Sequence, residues 1–280
     1  MDEPDDDGVP AGRPLPAALA PAWAMAALGA SLALFSLTAA LRPAKGGDIV
    51  NLQLCFSAGL AVVTWGVARF HLPSRPAADA LGLRAVPWWV IALSGLIGCA
   101  MLLPAAWIDD RIEQLFPRSA EEAAARAEAL SLATLPRKIA FAVAAMGLGP
   151  VSEDLFFRGA MFRATRRTEA AAMTVASSAL AFAIFHVDAR MFPIALLGGL
   201  VLGVLRLRTG SVLASTTAHV AYNGVITLGL LGGRLRIDSA GPPHALAAAG
   251  LAATLALTWA VSAWAQRSAA LTLARTRDAE

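Results

Sequence analysis

Residues 14–41 read PLPAALAPAWAMAALGASLALFSLTAAL, 28 residues without one charged side chain. A helix of about 20 apolar residues crosses the hydrocarbon core of a bilayer. Three more stretches, 49–68, 85–108 and 239–266, are equally free of Asp, Glu, Lys and Arg. A soluble domain does not carry four such runs. In lipid the backbone must satisfy its own hydrogen bonds, so each run is expected as a helix. The whole chain agrees: 57% of its residues are hydrophobic and 15% charged, where soluble domains have about 25% charged residues.

The same reading places spans near 18–41, 49–69, 86–108, 138–162, 170–188, 191–206, 211–232 and 244–265. The expected fold is all-α, a polytopic membrane protein of about eight transmembrane helices enclosing a polar active-site cavity. Residues 1–13, MDEPDDDGVPAGR, are acidic and rich in Pro and Gly, the composition of a disordered tail. Residues 14–136 form a three-span region, 137–232 a core, and 233–280 the last span with a basic tail. Between the third and fourth spans, Ser119 and Glu122 make a capping-box pattern ahead of Ala-rich sequence, so a surface helix is expected near 119–131.

Outside the long 109–138 segment, twelve Lys and Arg fall on the face that holds both termini and five on the other. The positive-inside rule then puts both termini in the cytoplasm. The Arg- and Ala-rich composition suggests a bacterial inner membrane. The scattered basic residues follow topology and do not form a nucleic-acid surface. Cys55 and Cys99 read as small packing residues. His71, beside Pro73, and His244, after Pro242 and Pro243, read as loop or interfacial residues.

Three apolar segments carry side chains that do not suit lipid. The fourth span contains Glu153-Asp154-Leu-Phe-Phe-Arg158. Charges at mid-helix cost roughly 2.5–3.5 kcal/mol each even on the lenient insertion scale. Asp154 and Arg158 stand i,i+4 with the acid first, so they can neutralise each other. Glu153 is the carboxylate left over, about 100° around the helix and free to face a cavity, as a general base requires. The fifth span ends Phe182-Ala-Ile-Phe-His186. The seventh contains His219-Val-Ala-Tyr-Asn223, two polar groups on one helix face. At 1.5 Å per residue, Glu153 and His219 both lie roughly 15 Å from the same face, whereas His186, counted from Arg167, lies roughly 28 Å deep.

The three segments together resemble the signature of the CPBP family, the CAAX-protease and bacteriocin-processing membrane proteins, which includes the type II CAAX prenyl endopeptidases. That pattern runs Glu-Glu-x-x-x-Arg, then Phe-x-x-x-His, then His-x-x-x-Asn, and here the second acid is Asp154. The resemblance implies an endopeptidase that cuts a membrane-embedded or membrane-anchored peptide or protein at the bilayer. It implies Glu153, His186, His219 and Asn223 as catalytic residues, with Asp154 and Arg158 in support. Two chemistries stay open. Glu153 with His186 activates water while His219 and Asn223 hold the oxyanion; or His186 and His219, with Glu153, hold a zinc ion. An inactive membrane scaffold of the same fold and a small transporter are the competing readings.

Overall fold

The computed structural model describes residues 12–42, 48–233 and 241–277. Most of the expected acidic tail, Lys45, Arg234 and Arg236 therefore lie outside the described residues. Among the described residues, nine helices longer than two turns follow in order: α1 (Ala20–Leu41), α2 (Ile49–His71), α3 (Trp88–Leu115), α4 (Ala120–Ala129), α5 (Leu135–Arg166), α6 (Ala171–Phe185), α7 (Phe192–Thr209), α8 (Val212–Leu231) and α9 (His244–Arg277). The described residues contain no strand. The protein is all-α, and a helix stands at each of the eight expected spans and at the surface segment.

Six of these helices are long and apolar enough to cross a membrane: α1 with its preceding turn, α2, α3, α5, α7 and α9. The surface explains where they reside. Leu32, Leu37, Val62, Trp65, Leu96, Leu255 and Trp259 are exposed, whereas Ser31, Ser94, Asp154, Arg158, Ser178, Ser215 and His219 are buried. An apolar exterior around a polar interior is an arrangement for lipid, and the chain is an integral membrane protein. The two remaining long segments, α6 and α8, carry His186, His219 and Asn223. Helix α6 has 15 residues, about 22 Å of rise. Polar side chains interrupt α8.

Helix ends depart from the apolar runs where charges pair along the helix. Helix α3 continues to Leu115, seven residues past the expected end, with Arg111 bonded to Asp110 at 2.8 Å and Gln114 to the same carboxylate at 3.0 Å. Helix α5 starts at Leu135 and runs to Arg166. At the surface, α4 has both halves of its capping box: Ser119 Oγ accepts from the Glu122 amide at 3.1 Å, and Glu122 accepts from the Ser119 amide at 2.9 Å.

His71 is a correction. It is buried at the end of α2, not in a loop. Its Nδ1 donates to the Arg13 carbonyl at 2.7 Å and its Nε2 accepts from Trp23 Nε1 at 3.1 Å. Its own carbonyl accepts from Arg167 at 2.8 Å. One histidine thus ties the N-terminal segment, α1 and the end of α5 together. His244 does lie at the start of α9, where Trp107 Nε1 donates to it at 2.9 Å. Cys55 is buried as expected, but Cys99 is exposed on α3 and packs nothing inside.

Small residues set the depth of the site helix α8. A Cβ at Gly98 of α3 would lie 2.0 Å from the Ala218 carbonyl oxygen. The two backbones touch there, one residue from His219, as small residues permit between membrane helices. The α7–α8 corner is equally defined. Gly210 takes φ +67° as the C-cap of α7, a conformation that glycine adopts without a Cβ penalty. Ser211 then caps α8 by accepting from the Leu213 amide at 3.2 Å.

Candidate active site

The backbone of α5 is irregular around its acids. Two wide turns, Val143–Leu148 and Leu155–Ala160, flank a regular turn at Gly149–Asp154. The Gly149 amide reaches back to the Ala144 carbonyl and the Met161 amide to the Phe156 carbonyl, each five residues away. For the Ala145 carbonyl the fifth residue is Pro150, which has no N–H to give. Asn223 Nδ2 supplies the missing donor at 3.3 Å. Proline therefore creates the acceptor that seats Asn223 against α5. Wide turns of this kind recur at functional sites.

The two adjacent acids go separate ways. Asp154 Oδ1 accepts from Arg158 Nη1 at 2.9 Å, and neither side chain is exposed at all. The shorter Asp, where the family pattern has Glu, reaches the arginine without strain in length. The Arg158 guanidinium also lies over the Phe182 ring, 4.0 Å from its centroid, a cation–π contact that supports a charge inside an apolar core. Glu153 remains 18% exposed.

His219 stands between both acids. Its Nε2 is 3.7 Å from Glu153 Oε2 and its Nδ1 is 3.4 Å from Asp154 Oδ1. The second approach is not aligned as a hydrogen bond: His219 Nδ1, Asp154 Oδ2, and Arg158 Nε and Nη2 are all buried without a hydrogen-bond partner. Buried polar atoms left this way are uncommon and cluster at sites that take up water or polar ligands.

His186 caps α6 and its ring folds back along the helix. Its Nδ1 donates to the Phe182 carbonyl at 2.8 Å. A carbonyl only accepts, so Nδ1 carries a proton and Nε2 is the ring nitrogen turned away from this bond. Phe182 is the shared wall of the site: its ring meets that of His186 at 4.6 Å and that of His219 at 5.6 Å, both edge-on. The depth of His186 follows from the register of α6. Ser178 Oγ donates to the Phe157 carbonyl at 3.0 Å, which sets Phe182, one turn later, level with Glu153. The ring of His186 then returns about one turn towards that level. The structure thus brings Glu153, Asp154, Arg158 and His219 into direct approach, puts His186 against the Phe182 ring, and holds Asn223 on the wide turn before Glu153. The part played by Phe182 and Pro150 is not apparent from either residue type alone.

Residues 135–225 match the family described as type II CAAX prenyl endopeptidase Rce1-like. The match covers 91 of the 280 residues, about a third of the chain. The matched region starts at the first residue of α5 and ends two residues past Asn223, so α1–α4 and α9 lie outside it. No curated protein and no solved structure matches the chain.

A catalytic zinc ion takes three protein donors and a water. Among the described residues, no three His, Cys, Asp or Glu side chains stand where they could hold a metal ion. His186 and His219 both meet the Phe182 ring, at 4.6 Å and 5.6 Å between centroids.

Proposed function

We propose that this protein is an intramembrane endopeptidase in which Glu153 activates water against a peptide bond of a membrane-embedded or membrane-anchored substrate. The observation that carries the reading is the contrast on one helix turn: Asp154 is sealed against Arg158, while Glu153 keeps an exposed edge facing His219 Nε2 at 3.7 Å.

In this reading the Glu153 carboxylate accepts a proton as the water oxygen bonds to the scissile carbonyl carbon. The carbonyl oxygen takes the negative charge. Asn223 uses one Nδ2 hydrogen on Ala145 and turns the other towards that oxygen. His219 stands beside the same charge, as donors in an oxyanion site must. When the C–N bond breaks, the proton on Glu153 passes to the leaving nitrogen. His186, when neutral, offers Nε2 as the second acceptor for the water proton. Asp154 and Arg158 hold the helix turn in place and touch no substrate.

The reading includes the bacterial inner membrane as location, with both termini cytoplasmic, as the distribution of arginines favours. The test is cleavage of a membrane-peptide library by the purified protein in liposomes. Glu153→Gln and His219→Ala are expected to lose cleavage while remaining folded. Equal cleavage by all three proteins overturns the assignment. Exhaustive chelation separates the two chemistries: the metal-free version keeps its activity, and a loss restored by zinc replaces it with the metal version.

A further inference from the structure

Glu153, His219 and Asn223 stand on α5 and α8. Helix α2 brings two more polar side chains to the same level. It runs beside α5 in the same direction. At one end Ile49 and Val50 pack against the cluster of Leu132, Phe141 and Ala145. At the other the His71 carbonyl accepts from Arg167, 96 residues on, at 2.8 Å. Gln53 faces Gly149 at the same separation in sequence: a Cβ there would lie 3.8 Å from Gln53 Nε2. Both helices are regular over the next turn, so Ser57 stands level with Glu153.

The sides of α2 are divided. Cys55 Sγ lies 3.6 Å from Thr38 Oγ1 of α1, and a Cβ at Gly59 would meet Ser31 Oγ of the same helix. Ser57 is two residues from each, about 200° around the helix, and so turns away from α1, towards α5. Its Oγ is buried without a hydrogen-bond partner. A hydroxyl in a membrane helix can bond the carbonyl one turn back, as Ser31 does at 2.8 Å and Thr64 at 2.7 Å. Ser57 does not. Gln53 is partly exposed, one turn before it on the same side.

A peptide must leave its helix to be cut, and in the bilayer the backbone groups it releases find no water. In the proteolytic reading His219 and Asn223 serve the scissile carbonyl, and the neighbouring amides need partners as well. We propose that Gln53 and Ser57 supply them: α2 is the substrate-binding side of the site and holds the backbone of an extended membrane peptide beside Glu153. The inference rests on the reading of Glu153 as the base of a peptidase. A carboxamide offers both a donor and an acceptor, and so does a hydroxyl. One turn of α2 sets the two groups about 6 Å apart, close to the ~6.6 Å between backbone groups on one edge of an extended chain. Both residues lie outside the matched region.

The test uses the full chain in liposomes and a dansyl-labelled peptide of about 20 Leu and Ala residues with a Gly-Gly pair at its centre. Binding is followed by energy transfer from the tryptophans of the protein. Cleavage of the probe and unfolding midpoints are measured on the same preparations. The double variant Gln53→Leu/Ser57→Ala is expected to bind the probe ~10-fold more weakly at an unchanged or higher midpoint, since no hydrogen bond of the folded protein is lost. Each single variant is expected to lose about threefold and carries the same test if the double variant does not fold. Ser94→Ala removes another buried, unpartnered hydroxyl, one turn from Gly98 on the side of α3 that α8 closes, and is expected to bind as wild type. Glu153→Gln is expected to bind as wild type and to leave the probe uncut. Weaker binding in the α2 variants with no cleavage by any protein supports the α2 site and overturns Glu153 as the base. Equal binding by wild type and the α2 variants, no binding by wild type, an equal loss in Ser94→Ala, or a loss in step with a lower midpoint overturns the α2 proposal.

Discussion

The two faces of α5 at residues 153 and 154 carry the same charge and hold it in opposite ways. On one face Asp154 is completely enclosed, bonded to Arg158 and backed by Phe182. On the other, Glu153 keeps an accessible edge with His219 at 3.7 Å. A buried pair is costly to break because the survivor is an uncompensated charge. A partly exposed acid can change its protonation without disturbing its neighbours. The enclosed pair fixes the helix turn, and in the proposed reading the open acid does the chemistry. The proposed reading divides folding and catalysis between neighbouring residues.

The strongest way to break this division is Arg158→Ala. It leaves Asp154 charged, buried and unpaired, and is expected to cost ~3–5 kcal/mol of stability. A thermal or denaturant midpoint in detergent measures this. Removing the shared wall comes next. Phe182→Ala takes away the ring that Arg158 and both histidines contact, with an expected cost of ~3–5 kcal/mol from the transfer and cavity terms, and with activity falling as the histidines lose their packing. Asp154→Glu, which restores the family's residue, puts a methylene into a sealed space and should cost ~1–3 kcal/mol. If it instead stabilises the protein, Asp154 is not the tight fit described above. Asn223→Ala unpairs the Ala145 carbonyl and should cost ~1–3 kcal/mol, with a loss of activity beyond what the lower stability explains. The smallest effect belongs to Ser119→Ala, which removes the cap of α4 for ~1 kcal/mol and leaves any peptidase activity unchanged. An equal loss of activity there would tie α4 to the site.

Sequence legibility follows the same division. Helices were readable because four charge-free runs admit no other backbone in lipid, and the weaker spans inherited their places from the spacing between them. The pairing of Asp154 with Arg158 was readable because i,i+4 spacing on one helix needs no tertiary knowledge. What was not readable required a partner from another helix or a register. The depth of His186 depends on Ser178 docking to the Phe157 carbonyl and on its own ring turning back to Phe182. The burial of His71 depends on Trp23, 48 residues away. The wide turns of α5 have a sequence trace, since Pro150 deprives Ala145 of a donor, but only the structure shows Asn223 supplying it. The ends of α3 and α9 ran past their apolar cores because charged residues can remain helical once they pair or leave the membrane.

The central claim is that Glu153 is the base and Asp154 is not. One comparison tests it directly: rates of peptide cleavage by wild type and Glu153→Gln in liposomes, with unfolding midpoints measured on the same preparations. The expected result is a rate lower by ~10²–10⁴-fold, the usual worth of a general base, at an unchanged midpoint. Wild-type cleavage rates in Glu153→Gln, or a loss of activity fully accounted for by a lower midpoint, would contradict it.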